Sequence, residues 1–195
     1  MTVHFFISTS AKMEHTLAEL MTLSRARIEL ENRNFTTLLD NDKTLVCLKT
    51  DCRWIFCAKL DVLVVVNDIR ATGEGTLDLA RILADVTNVT HDYDAKMDVG
   101  CPPHGFGHGR MIIVAYLCNE VEAPAAHHIQ EVAPVKQWCS ATLVTALGDS
   151  GHSPFVLRDE RTPYWGRALF PELRFWAKLV TGQTNEQGPP SYACW

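Results

Sequence analysis

Apolar and polar positions along this chain form runs that predict strands and helices in turn. The run Leu60–Asn67 is mostly β-branched or aliphatic. Such a run is typical of a strand that is buried on both faces, as in a parallel or mixed sheet covered by helices. Met111–Leu117 and Thr142–Leu147 are two further apolar runs of strand length. The pattern therefore predicts a sheet whose central strands are buried.

Shorter strands are predicted nearer the amino terminus. The candidates are Val3–Ser8, Arg27–Asn32, Phe35–Leu39 and Thr44–Lys49. In Arg27–Asn32 the prediction depends on alternation, because Ile28 and Leu30 would share one face of a strand. The polar cluster Asp40-Asn41-Asp42 between the last two candidates is a turn signal.

Helices are predicted where apolar residues recur every three or four positions. Thr76 is a good N-cap residue, and one predicted helix begins there. Gly182 is suited to end another, whose first turn carries Pro171. The apolar residues of the four predicted helices lie within Met13–Met21, Leu79–Val86, Ala123–Val132 and Phe170–Val180.

The order of these elements predicts one α/β domain over residues 1–182, followed by an irregular tail over 183–195. The predicted fold is a three-layer one, with a mixed and mostly parallel sheet flanked by helices. The segment Thr87–Gly109 is predicted to be rich in loops, and no domain linker is recognisable. A chain of 195 residues is long enough to build one sizeable core.

Composition excludes several classes of protein. A net charge of −5 argues against direct nucleic-acid binding, because such proteins neutralise phosphates. The apolar runs are far shorter than the roughly 20 residues of a membrane span, and the amino terminus does not resemble a signal peptide. The seven cysteines are odd in number and include no CxxC pair. This pattern favours an intracellular, reducing compartment, with the cytoplasm as the first choice.

The first candidate site follows the strand Leu60–Asn67. A glycine-bearing turn, Gly73-Glu-Gly75, leads from its end into the helix that is predicted to begin at Thr76. The carboxyl end of a parallel strand and the amino end of the next helix meet at one edge of the sheet, where anionic ligands are favoured. The alternative is an ordinary turn that needs glycine for its backbone angles.

A second loop of similar character follows the strand Thr142–Leu147. It reads Ala146-Leu-Gly-Asp-Ser-Gly151, and its alternative is again a simple surface turn. If the two loops lie on neighbouring strands, their backbone N–H groups would hold a diphosphate between them.

The order of these segments resembles a macro domain, the fold that binds ADP-ribose. The similar part is about 45–182. Within it the resemblance depends on six segments, in this order: Lys49-Thr-Asp51, Val64-Val-Val-Asn67-Asp68, Gly73-Glu-Gly75-Thr-Leu77-Asp-Leu-Ala80, Gly100-Cys-Pro102, Met111–Leu117 and Ala146–Gly151.

The resemblance implies a small nucleotide ligand such as ADP-ribose, with removal of ADP-ribose as an additional activity. Asp51 would hold the adenine amino group, and Asn67 or Asp68 would face the distal ribose. The loops Gly73–Leu77 and Gly148–Gly151 would hold the diphosphate. The residues so implied in these loops are Gly73, Gly75, Leu77, Gly148, Asp149, Ser150 and Gly151. No catalytic residue and no cofactor is assigned.

Two other functions stay open. Cys101, His104 and His108 have a spacing compatible with zinc, and Cys101 or Ser150 beside a histidine would suit a nucleophile. A zinc-dependent or cysteine-dependent hydrolase is therefore one alternative, although solvated loop histidines explain the same pattern and no metal is assigned. The other alternative is a non-catalytic subunit of a larger assembly, with protein partners.

Overall fold

The structure is a computed structural model. It describes residues 22–53, 59–70, 75–97, 108–131, 136–137, 140–148, 155–158 and 170–183. The described strands are β1 (Thr36–Asp40), β2 (Thr44–Arg53), β3 (Lys59–Asp68), β4 (Thr76–Leu77), β5 (His108–Cys118), β6 (Glu120–Val121), β7 (Lys136–Gln137), β8 (Ser140–Gly148) and β9 (Phe155–Val156). The described helices are α1 (Leu23–Glu31), α2 (Leu79–Met97), α3 (Ala123–Glu131) and α4 (Phe170–Val180).

Seven of these strands form one mixed sheet in the order β1-β2-β3-β5-β8-β7, with β9 also paired to β8. The central strands β3, β5 and β8 are parallel. The strands β1 and β2 on one side, and β7 and β9 on the other, pair in antiparallel fashion. Strands β4 and β6 form a separate parallel pair. The predicted α/β class, with a mixed central sheet flanked by helices, is confirmed.

The central strands are buried on both faces, as their composition predicts. In β3, Val62, Val64 and Val66 contact one core, whereas Leu63 and Val65 contact the other. All eight residues from Met111 to Cys118 in β5 are at most 1% exposed. Parallel strands of this kind need a helical layer on each side, because neither face can be left to water.

Among the described residues, two helices pack on each face of the sheet. Ala26 of α1 and Leu173 of α4 pack on the face that contains Val64. Ile82 of α2 and Ala125 of α3 pack on the opposite face. The described part of the chain thus has three layers, helix–sheet–helix.

Helix α1 corrects the strand predicted at Arg27–Asn32. The buried residues of helix α1 are Ala26 and Leu30, which are four positions apart, as on one face of a helix. Thr22 caps the helix by accepting a hydrogen bond from the Arg25 N–H at 3.2 Å. Ile28 is 52% exposed. Its apparent alternation with Leu30 therefore reflects an exposed apolar residue and not a buried strand face.

The start and the end of α2 also differ from the prediction. Thr76 does not cap this helix but lies in β4, beside Glu120. Asp78 caps it, because its Oδ1 accepts a hydrogen bond from the Arg81 N–H at 2.7 Å. The helix continues to Met97 through a segment predicted to be rich in loops, since no glycine or proline interrupts residues 87–97.

The remaining predicted elements have mixed outcomes. Strands β1, β2, β3, β5 and β8 and helices α3 and α4 confirm their predictions within a few residues at each end. Gly182 has a positive φ of 72° and donates from its N–H to the Leu179 carbonyl at 3.0 Å, as expected for a glycine that ends a helix. The strand Val3–Ser8 and the helix over Met13–Met21 lie outside the described residues.

Truncation of Trp176 should destabilise the fold strongly. This side chain is 2% exposed and meets the Phe35 ring edge-on, with ring centroids 4.8 Å apart. We expect Trp176→Ala to lower the free energy of unfolding by about 3–5 kcal/mol, measured by urea denaturation. Ile28→Ala is the control, with a change within about 0.5 kcal/mol. A loss below about 1 kcal/mol for Trp176→Ala would contradict the packing of α4 on the sheet.

Candidate functional site

The carboxyl ends of β3, β5 and β8 lie at the same edge of the sheet. Asn67 is level with Tyr116 in the register of β3 and β5, and Leu117 is level with Leu147 in the register of β5 and β8. Strand β5 lies between the other two, so the ends of β3 and β8 are about 9–10 Å apart. They share an edge, but they are not direct neighbours.

The chain leaves this edge in two ways. Strand β5 is followed by α3, which packs on the same face of the sheet as α2, whereas β8 is followed by β9, which pairs with β8 within the sheet. In open α/β sheets, ligands bind in the crevice outside the carboxyl ends of the strands. The edge at which β3, β5 and β8 end is such a location.

Asn67 and Asp68, which end β3, are both engaged by other residues. The Asn67 Oδ1 accepts a hydrogen bond from the Thr44 hydroxyl at 3.1 Å. The Asp68 carboxylate holds the Arg70 guanidinium at 2.5 and 3.0 Å, and its N–H donates to the Lys43 carbonyl at 2.8 Å. These contacts join the end of β3 to the hairpin between β1 and β2.

Gly75 lies against Asn119, the residue that follows β5. The Asn119 N–H donates to the Gly75 carbonyl at 2.6 Å. A Cβ at position 75 would come within 2.1 Å of the Asn119 Nδ2. A side chain at position 75 would therefore displace the Asn119 amide, and this close approach replaces the approach to a phosphate that the sequence predicts.

Asn119 is a site residue that sequence reasoning missed. It is an exposed amide at the end of the central parallel strand, beside the boundary between β5 and β8. The signal was present in the sequence, because a polar residue directly follows the apolar run of β5, as Asn67 does at the end of β3.

A polar cleft of about 550 Å³ lies beside this edge, at the start of α2. It is lined by Thr76, Asp78, Arg81, Asp85 and Glu122. Three carboxylates and one guanidinium therefore line the cleft. Carboxylates accept hydrogen bonds and cannot donate them when ionised, so the cleft favours hydroxyl or amine groups of a ligand over its phosphates.

Tyr116 is joined to this cleft through Asp85, one of the residues that line it. Its side chain is fully buried, and its hydroxyl donates to the Asp85 Oδ2 at 3.0 Å. Burial raises the pKa of the Tyr116 phenol above its ordinary range, and the Asp85 carboxylate raises it further. The phenol therefore stays protonated and fixes the position of the Asp85 carboxylate.

Asp51 lies at the other end of the sheet. Its neighbour Cys52 is level with Leu60 at the start of β3, whereas Asn67 is level with Thr44. These two positions along β3 are about 23 Å apart at the usual rise of a strand. Asp51 binds Lys59 at 2.7 Å, and it does not share a pocket with Asn67.

The other predicted site residues fall into two groups. Leu77 is fully buried in the core beneath α2, so its side chain does not face a ligand, and Gly148 ends β8 level with Cys118. Six predicted residues lie outside the described part of the chain: Gly73, Cys101, His104, Asp149, Ser150 and Gly151. Of His108, only the backbone at the start of β5 is described.

Within the described ranges, no group of three or more His, Cys, Asp or Glu side chains has a geometry that would hold a metal ion. Over the same residues, no helix is long and apolar enough to cross a membrane. Comparisons of the chain with protein-family models, curated proteins and solved structures found no match. The macro-domain resemblance therefore stays a hypothesis.

Tyr116→Phe should change how stability depends on pH. The free phenol ionises near 10.0, so above that pH the unfolded chain loses a proton that the folded chain retains. Above this pH the Tyr116 phenol therefore lowers the free energy of unfolding of the wild type by up to about 1.4 kcal/mol per pH unit. Below pH 9 the wild type should be more stable by about 1 kcal/mol through the hydrogen bond to Asp85.

We expect this advantage to shrink and then reverse between pH 10 and pH 11, as measured by urea unfolding of both proteins. Parallel stability curves up to pH 11 would show that Tyr116 is accessible to water.

Proposed function

We propose that this protein binds a nucleotide-like ligand, with ADP-ribose as the reference compound, at the carboxyl edge of β3, β5 and β8. The observation that supports the proposal is the arrangement of that edge. Three parallel strands end there side by side, with their last residues level with one another. Ligand sites of open α/β sheets have this location.

The charges beside the edge support an orientation for the ligand. Carboxylates in α/β nucleotide sites accept hydrogen bonds from ribose hydroxyls, and Asp85 and Glu122 line the cleft beside the edge. A phosphate would be repelled there, since Asp78 already caps the start of α2. The ribose therefore lies in the cleft, and the phosphates extend from it across Asn119 towards the end of β8.

This orientation differs from the one that the resemblance implies. The macro-domain pattern assigns the adenine group to Asp51, which lies at the opposite end of the sheet. It also assigns part of the diphosphate to the loop that contains Gly75, but the space next to Gly75 is filled by the Asn119 side chain. We retain the ligand class, and we assign its contacts to Asn119 and the cleft in place of Gly75 and Asp51.

The proposal is confined to binding. Removal of ADP-ribose would need a group at the end of β3 that acts on the distal ribose, and the resemblance assigns this role to Asn67 or Asp68. The Asn67 Oδ1 is engaged by Thr44, and the Asp68 carboxylate by Arg70. Both side chains therefore already have a partner within the chain, and binding is the part of the resemblance that we retain.

Calorimetric titration with ADP-ribose tests the proposal. Wild type should bind, and Asn119→Ala should weaken binding about tenfold or more through the loss of a hydrogen bond to a charged phosphate. Gly75→Ala should weaken it to a similar extent, because the new Cβ displaces the Asn119 amide. The double variant should lose no more than Asn119→Ala alone, since both changes act on one side chain.

Asp51→Asn is the matched control, because asparagine tolerates the positive φ of 56° at this position. Its affinity should stay within about twofold of wild type, since the cost of a substitution that is remote from a site is small. Absence of heat at millimolar ADP-ribose would refute the ligand class. Loss of binding in Asp51→Asn, with Asn119→Ala unchanged, would move the site to the opposite end of the sheet.

A further inference from the structure

Asp85 differs from the other carboxylates of the cleft in the way it is held. Its Oδ2 accepts a hydrogen bond from the Tyr116 hydroxyl at 3.0 Å, and the same oxygen lies 4.0 Å from the Arg81 Nε. Within the described part of the chain, no group donates a hydrogen bond to the Asp85 Oδ1. The carboxylate is therefore fixed through one oxygen, and its other oxygen is available to a ligand in the cleft.

The Tyr116 phenol suits this role because its protonation does not change near neutral pH. It is fully buried, and burial raises the pKa of the phenol above its ordinary range. A side chain that is already held by a permanent donor loses little freedom when a ligand binds, so less affinity is spent on ordering it. Asp85 is therefore a preorganised hydrogen-bond acceptor.

A second carboxylate reaches the cleft from another part of the chain. Glu122 comes directly before α3, and its N–H donates to the Leu77 carbonyl at 3.0 Å. This bond sets Glu122 beside the start of α2, so the cleft contains acceptors from two separate elements. Two such acceptors suit a ligand that carries two neighbouring donors.

The lining of the cleft favours a sugar over a base. The described residues that line it are Thr76, Asp78, Arg81, Asp85 and Glu122. None of these has an aromatic or aliphatic side chain, whereas pockets for planar rings are lined mainly by such side chains. Sugar hydroxyls instead need hydrogen-bond partners, and ionised carboxylates accept from them.

We propose that Asp85 and Glu122 bind the two neighbouring hydroxyls of a ribose and make the site specific for ribose over 2-deoxyribose. This inference rests on the proposed function, and it adds which part of the ligand is recognised and by which residues. Asp85 accepts from one hydroxyl through its Oδ1, and Tyr116 is the positioning residue that holds Asp85. A phosphate on either hydroxyl would replace a donor by negative charge among three carboxylates, so such ligands are rejected.

ADP-ribose carries two riboses, and two pairs of probes separate them. ADP and 2′-deoxy-ADP test the ribose that is attached to adenine. Ribose 5-phosphate and 2-deoxyribose 5-phosphate test the other ribose. The members of each pair differ by a single hydroxyl, so their ratio of affinities measures the recognition of that hydroxyl alone.

Calorimetric titration of the full chain with these probes tests the proposal. In one pair, the deoxy compound should bind wild type about tenfold or more weakly, as expected for a lost hydrogen bond to a charged group. Inosine diphosphate lacks the adenine amino group, which is another donor of the ligand. It should bind within about twofold of ADP, because a change remote from the cleft has a small effect.

Asp85→Asn tests the assignment of the acceptor. Asparagine keeps the shape of the side chain and can still accept from the Tyr116 hydroxyl, but it has an amide donor in place of the free carboxylate oxygen. The preference for the hydroxylated probe should fall to about threefold or less. Asp78→Asn is the matched control, since it removes the same charge from the same cleft and asparagine also caps helices. It should keep the ratio of the wild type.

Tyr116→Phe tests the positioning role. It should lower the preference for the hydroxylated probe and leave the affinity for the deoxy probe within about twofold of wild type, because only the ligand hydroxyl contacts Asp85. A general disturbance of the fold would instead weaken the binding of both probes to the same extent.

The outcomes separate this proposal from the proposed function. If ADP-ribose binds and Asn119→Ala weakens it, while both members of each pair bind alike, the ribose assignment is overturned and the proposed function stands. If ADP-ribose gives no heat but one pair is discriminated in a manner that depends on Asp85, the ribose site stands and the nucleotide class is wrong.

Two further results would overturn the ribose assignment. The first is a loss of affinity for inosine diphosphate with none for 2′-deoxy-ADP, which would put the base in the cleft. The second is the absence of binding by both ADP and ribose 5-phosphate at millimolar concentration.

Discussion

Two parallel strands cannot be joined by a tight turn, and this constraint organises the structure. Each of the connections from β3 to β5 and from β5 to β8 must return over a face of the sheet. Helices α2 and α3 make these returns on the same face. As a consequence, three strand ends meet at one edge and three strand beginnings meet at the other. The candidate site is a product of this connectivity before any particular side chain is considered.

The residues at the edge show how strongly the local backbone decides what a side chain can do. The Gly75 carbonyl accepts a hydrogen bond from the Asn119 N–H, and the Asp68 carboxylate pairs with Arg70. Both contacts stabilise the end of the sheet. The buried Tyr116 hydroxyl donates a hydrogen bond to Asp85. This bond fixes the position of the Asp85 carboxylate, which lines the cleft. An acidic cleft with fixed acceptors discriminates by hydrogen-bond donors, which suits a sugar better than a phosphate.

The sequence predicts the central strands well because burial on both faces leaves a strong local signal. It predicts α1 poorly, since Ile28 is apolar and exposed, and the helix has only Ala26 and Leu30 in the core. Strands β4 and β6 were not predicted at all. They are two residues each and depend on the long-range contact between Gly75 and Asn119, which no local pattern records.

The placement of Asp51 could not be predicted for a different reason. A motif order along the chain fixes which residues precede a strand, but it does not fix the direction of the preceding strand. Strand β2 is antiparallel to β3, so its end, with Asp51, lies where β3 begins. Its start, with Thr44, lies where β3 ends. Thr44 was predicted only as the beginning of a strand, yet its hydroxyl binds the Asn67 amide.

This direction of β2 also connects the hairpin of β1 and β2 to the candidate site. The turn between β1 and β2 is held by the Asn41 Oδ1, which accepts hydrogen bonds from the N–H groups of Lys43 and Thr44 at 2.9 and 2.7 Å. The same turn supplies the Lys43 carbonyl, which accepts a hydrogen bond from the Asp68 N–H. The end of β3 is therefore held from the antiparallel side of the sheet, by a turn that lies outside the three parallel strands.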